Sequence, residues 1–121
     1  MEYLKENAEY FEKKAREAFE EGVYNFTLFF AEQALQLYIK YILVKTIGDY
    51  PKTHSFSTLF QILAEIIDSA YEFYDKYSEL FELLEDAYIT VRYFGRKYSK
   101  TTAEKILRLI DEFKEVFDKW L

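Results

Sequence analysis

The sequence predicts an all-α fold, an up-and-down antiparallel bundle of about five helices. Apolar residues recur at i, i+3, i+4 spacing along nearly the whole chain. Glycine occurs three times and proline once in 121 residues, so breaks are scarce and long helices are favoured over short strands. Half the residues are hydrophobic and 31% are charged, the balance of a chain that folds around a core. This length sets one domain, residues 1–121, with room for a single core.

The first helix is expected over Glu2 to Glu21, with Leu4, Ala8, Phe11, Ala15, Ala18 and Phe19 as its apolar stripe and Gly22 as its stop. The second, Tyr24 to Ile47, is apolar almost all round and so is expected at the centre of the bundle. Its exceptions, Glu32, Gln36 and Lys40, recur every four residues and form one polar stripe, either lining a cleft or facing solvent. Gly48, Asp49 and Pro51 end it. Ser55 is a natural N-cap for a third helix that buries Phe56, Leu59, Phe60, Leu63, Ile66, Ile67 and Ala70. Residues 71–77 read equally as helix or turn. A fourth helix carries Tyr77, Leu80, Phe81, Leu84, Ala87, Tyr88 and Val91, and Gly95 follows it. Thr101-Thr102-Ala103-Glu104 matches a capping box and opens a fifth, which buries Ala103, Ile106, Ile110, Phe113, Phe117 and Trp120.

The absence of cysteine removes disulfides and thiolate chemistry, and favours a cytoplasmic setting. The most apolar stretch, 26–44, is interrupted by Glu32, Gln33, Gln36 and Lys40, so no membrane span is expected. Many Glu, Lys, Ile and Tyr with few Asn and Gln resemble a thermophile composition. A lone histidine, His54, cannot build a usual zinc site, and no metal or intrinsic cofactor is expected.

Charge is unevenly placed. The net charge is −6, yet residues 92–108 carry +5, which leaves −11 for the rest. A basic segment on an acidic body suits a nucleotide or short RNA better than a long duplex. With alternating helices, the end of the second helix, the loop from Gly48 to His54 and the end of the fourth should share one pole. Lys45, Lys52, His54, Arg92, Arg96, Lys97 and Lys100 would then approach one another. Arg92 can fork onto a phosphate while Tyr93 stacks or donates a hydrogen bond. The plainer alternative pairs Arg92 with a bundle carboxylate such as Glu32. For His54 the plainer role is helix capping with Ser55, and the other is acid–base work. Tyr41, Tyr71, Tyr74, Tyr93 and Tyr98 lie off the apolar stripes, where they could stack bases or cover an interface.

Three segments in order carry a family resemblance. They are Tyr24-Asn25 with Ala31 to Lys40, then Lys52-Thr53-His54-Ser55-Phe56 with Leu59, then Val91-Arg92-Tyr93 at a helix end. Together they resemble the HEPN family of small helical domains. That family's second helix often reads Gln-Ala-x-Glu-Lys and then Lys. Gln33, Ala34 and Lys40 match, while Gln36 and Leu37 depart. The resemblance implies a homodimer and a ligand site at Arg92, Tyr93, Arg96, Lys97, Lys52, His54 and Lys40. Ribonuclease members carry a His after the Arg with four to six residues in between. Lys97, Tyr98 and Ser99 stand there instead, so the resemblance points to the non-ribonuclease branch. The expected function is a nucleotide-binding or regulatory subunit, with ATP as an example ligand. It would work with a separately encoded minimal nucleotidyltransferase, as in a toxin–antitoxin-like pair. The alternatives are a degenerate ribonuclease using Arg92 with His54 or Tyr98, and a structural protein-interaction module.

Overall fold

The computed structural model describes residues 1–121 as six α-helices, with a 3-10 turn at the end and no strand. They are α1 (Glu2–Glu20), α2 (Tyr24–Ile47), α3 (Phe56–Ala64), α4 (Ser69–Lys76), α5 (Ser78–Phe94) and α6 (Lys100–Val116). The fold is the helical bundle that the periodicity predicts.

Helix α2 is the axis. Helices α1, α3, α5 and α6 all pack on it. Leu28, Ala31, Leu35, Tyr38, Ile39, Ile42 and Leu43 are sealed on its several sides, which explains why it shows no clean polar face. Phe60, Phe73, Phe81, Phe113 and Phe117 form an aromatic cluster between α3, α4, α5 and α6, with ring centroids 4.7–6.4 Å apart.

Glu12 joins three helices. It is buried on α1 and accepts hydrogen bonds from Tyr38 Oη of α2 at 2.6 Å, Lys114 Nζ of α6 at 3.0 Å and Arg16 at 3.0 and 3.1 Å. Arg16 also reaches Asp111 of α6 at 2.7 Å. Burial pushes the Glu12 carboxyl up, but these donors outweigh it and hold it below the ordinary value.

Four expectations are corrected. The third helix does not run on to Ala70. It stops at Ala64 in tight turns closed by Glu65 N–H to Ile62 O and Ile66 N–H to Leu63 O, and α4 restarts at Ser69. The break leaves Ile66 exposed and swings Phe73 onto Phe60, Phe81 and Phe117. The ambiguous residues 71–77 thus lie mostly in a helix, which ends in a kink at Tyr77. The last helix is capped two residues before the expected capping box, by Ser99, whose Oγ accepts from Thr102 N–H at 3.1 Å. Tyr41, expected off the apolar stripes, is buried and donates to Glu2 at 3.2 Å.

The fourth correction concerns the pole. Helix α5 runs antiparallel to α2, so its end meets the start of α2: Tyr88 stacks on Phe29, and Arg92 lies over the same ring. Lys45, sixteen residues further along α2, is about 24 Å away at 1.5 Å per residue. It sits instead over Tyr41, near the start of α1. Gly48, in the left-handed region at φ 85°, ends α2 and turns the chain back. The loop then retraces the helix, with Tyr50 against Lys40 and the His54 carbonyl on Gln36.

Candidate functional site

This returning loop builds the site. Its last residues and one face of α5 close over the polar stripe of α2. Glu32, His54, Ser55, Glu85, Tyr88 and Ile89 line a cleft of about 270 Å³. The stripe is therefore not a solvated face: Glu32 lines the cleft, while Gln36 and Lys40 are buried beneath the loop.

The loop is pinned on both sides. Gln36 Nε2 donates to the His54 carbonyl at 2.8 Å, and Glu85 Oε2 of α5 accepts from the Phe56 N–H at 2.7 Å. Ser55 caps α3 alone, accepting from Thr58 N–H at 3.2 Å. The His54 ring is thereby released from capping. Its imidazole lies on the Tyr88 ring with centroids 4.5 Å apart. The Arg92 guanidinium covers Tyr88 at 4.3 Å, and its Nε donates to the Tyr88 carbonyl at 3.0 Å. Tyr88 thus joins the two groups singled out in the sequence, one from a loop and one from a helix end.

Charge in the cleft is finely set. Burial drives the Glu32 carboxyl up to about 7, although Gln33 donates to its Oε1 at 2.8 Å. His54 Nδ1 stands 3.9 Å from Glu32 Oε2. Burial, then Lys40 and Arg92, lower the imidazole below its ordinary value. The raised acid and the lowered base both disfavour a charged His54–Glu32 pair. Burial lowers Lys40 as well, against the pull of Glu32.

Of the seven expected site residues, His54 and Arg92 meet at Tyr88, and Lys40 sits beneath the loop, acting on His54 through its charge. Tyr93 is 69% exposed and flanks Arg92 at 5.0 Å. Arg96 stacks on Tyr98 at 5.0 Å in the connection after α5. Lys97 and Lys52 are exposed and form no ion pair. Arg92 does not pair with Glu32; its contacts are rings and a carbonyl. Sequence reasoning missed Tyr88 and Glu85 as site residues. Their signal was their spacing, four and seven residues before Arg92 on one helical face.

A bundle whose central helix carries a buried polar stripe under an Arg-bearing helix end defines the class. The chain belongs to the HEPN domain family, whose model matches residues 1–120. No curated protein and no solved structure gives a significant match. No helix is long and apolar enough to cross a membrane.

Proposed function

We propose that this HEPN domain binds a nucleotide at the Tyr88 cleft and serves as the binding or regulatory subunit of a separately encoded nucleotidyltransferase. The observation that carries this reading is the His54–Tyr88–Arg92 stack. A base stacks on an aromatic ring at the cleft mouth, and a guanidinium beside it takes phosphate through its fork. Arg96 and Lys97 extend the positive charge. At about 270 Å³ the cleft is near the lower end of small-ligand pockets, room for a base with its phosphates outside.

The partner reading rests on family membership and on an apolar patch beside the cleft. Ile89, Tyr93 and Phe94 are 51%, 69% and 75% exposed at the end of α5. Such a patch suits a second copy of the chain or the transferase. The chain itself lacks the Gly-Ser and paired-Asp pattern of a transferase, so catalysis belongs to the partner.

Calorimetric titration with nucleoside triphosphates and short RNA tests the binding claim. Arg92→Ala is expected to weaken binding about tenfold, or ~1.4 kcal/mol. Wild-type protein that binds neither nucleotide nor RNA sinks the reading.

One observation favours a second reading, RNA cleavage. The fold brings His54 to the ring that Arg92 covers, which supplies an imidazole by a different route from the family's Arg–His spacing. Burial, Lys40 and Arg92 lower its pKa, which favours the neutral form that a general base needs. RNA cleavage lost in both Arg92→Ala and His54→Ala would establish this reading.

A further inference from the structure

A line of hydrogen bonds runs from α2 to the returning loop. Gln33 Nε2 donates to Glu32 Oε1 at 2.8 Å, and Gln36 Nε2 donates to the His54 carbonyl at 2.8 Å. Between these two bonds Glu32 Oε2 meets Gln36 Oε1, one helical turn on and within hydrogen-bond reach. Both oxygens are buried, and no N–H donates to either. Two acceptors in contact away from water need a proton between them. The carboxyl supplies it. A neutral Glu32 donates from Oε2–H to Gln36 Oε1, and every link then runs from donor to acceptor, from Gln33 through Glu32 and Gln36 to the loop.

An ionised Glu32 breaks this order. The Gln36 amide has one NH2 and one carbonyl, and it lies between two acceptors. Whichever way it turns, its own oxygen faces one of them. The carboxylate outcompetes the His54 carbonyl for the NH2, because a charge-assisted hydrogen bond is about twice as strong as a neutral one. We propose that proton loss from Glu32 unlatches the returning loop: the Gln36 amide turns to donate to the carboxylate, lets go of the His54 carbonyl, and so uncovers the Tyr88 ring.

The surrounding groups set where the latch works. Lys40 on the same helix favours the Glu32 charge, and Glu85 on α5 opposes it. His54 Nδ1, from the loop, stands 3.9 Å from Glu32 Oε2, while Lys40 and Arg92 of α5 resist charge on the imidazole. Burial outweighs these and holds the Glu32 carboxyl at about 7, so the latch is closed below neutral pH and open above it. The second pin stays shut. Glu85 Oε2 accepts from the Phe56 N–H, and rising pH keeps it an acceptor. Release is therefore confined to the loop before Phe56. The His54 side chain there is 57% exposed, held only by its stack on Tyr88 and a long 3.5 Å contact with Tyr88 Oη.

The latch does not depend on the nucleotide reading, and its test uses the ligand-free chain. NMR follows the Glu32 carboxyl carbon, the Gln36 side-chain NH2 and the Ser55 amide, which shares a peptide unit with the His54 carbonyl, across neutral pH. The Gln36 and Ser55 signals are expected to shift together with the Glu32 carboxyl, at a midpoint of about 7. Glu32→Gln puts a permanent donor opposite Gln36 Oε1, so both signals should lose this transition and stay at their low-pH positions. Signals that stand still while Glu32 titrates overturn the latch. So does a transition that survives in Glu32→Gln, which would belong to His54. The coincidence of midpoints in wild type decides the matter even if the variant fails to fold.

Discussion

Glu32 shows how one residue sets two properties. Its carboxyl, ordinarily near 4.5, is raised to about 7, so the folded state holds this proton more tightly than the unfolded chain does. Its contribution favours folding below the ordinary value and is lost as pH rises from 4.5 to about 7. At ~1.4 kcal/mol per pH unit, the loss reaches about 3 kcal/mol. Stability measured in urea at pH 5 and pH 8 should show this decline in wild type, less the opposite effect of His54. His54, with its lowered pKa, favours folding as pH rises. Glu32→Gln removes only the Glu32 part. The variant should therefore be more stable than wild type at pH 8 by ~1–3 kcal/mol and close to it at pH 5. A variant no more stable than wild type at pH 8 would contradict the buried, costly carboxylate. Arg92 differs in kind. It is exposed and packs on surface rings, so Arg92→Ala should weaken ligand binding while changing thermal stability by less than ~1 kcal/mol.

At the scale of elements, Glu12 is to the bundle what Glu32 is to the cleft, with the opposite sign. Its donors on α1, α2 and α6 depress its pKa, so its stabilisation is present above the ordinary carboxylate value and lost as pH falls through the lowered one. Glu12→Ala leaves the buried Tyr38 hydroxyl without its acceptor, while Arg16 keeps Asp111 and Lys114 turns to solvent, and should cost about 2 kcal/mol, read from denaturant midpoints at pH 7. Ser55→Ala, which removes the α3 cap beside the cleft, should cost about 1 kcal/mol and loosen the loop that carries His54. The bounds of α2 and the Ser55 cap were legible because glycine, proline and serine write their effects locally. The break at residues 65–68 was not. It contains neither glycine nor proline, and it exists because Phe73 must reach the aromatic cluster, a tertiary demand. The cap at Ser99 was masked by a better-looking match two residues on.

At the scale of the molecule, the site comes from a topology that spacing alone does not encode. The sequence marked Arg92, His54 and the Glu32–Gln36–Lys40 stripe separately. Their meeting depends on Gly48 reversing the chain and on the loop lying back along α2, which moves His54 about three turns from the helix end. It depends equally on α5 running against α2, which carries Arg92 away from Lys45 and toward Phe29. The basic residues therefore do not gather into one cap: Arg92 lies on Tyr88, Arg96 on Tyr98 beyond the end of α5, and Lys45 over Tyr41. Ile89, Tyr93 and Phe94 are exposed beside that cleft, so a partner docked as proposed would adjoin the proposed ligand.

The central claim is that the Tyr88 cleft is where the ligand binds. The most direct measurement is a backbone amide NMR titration with GTP, which the 121-residue chain suits. The account predicts the largest shifts at His54, Ser55, Glu85, Tyr88, Ile89 and Arg92, with the amides of Tyr41 and Lys45 unmoved. Shifts centred on Lys5, Tyr41 and Lys45, or none at all, would contradict it.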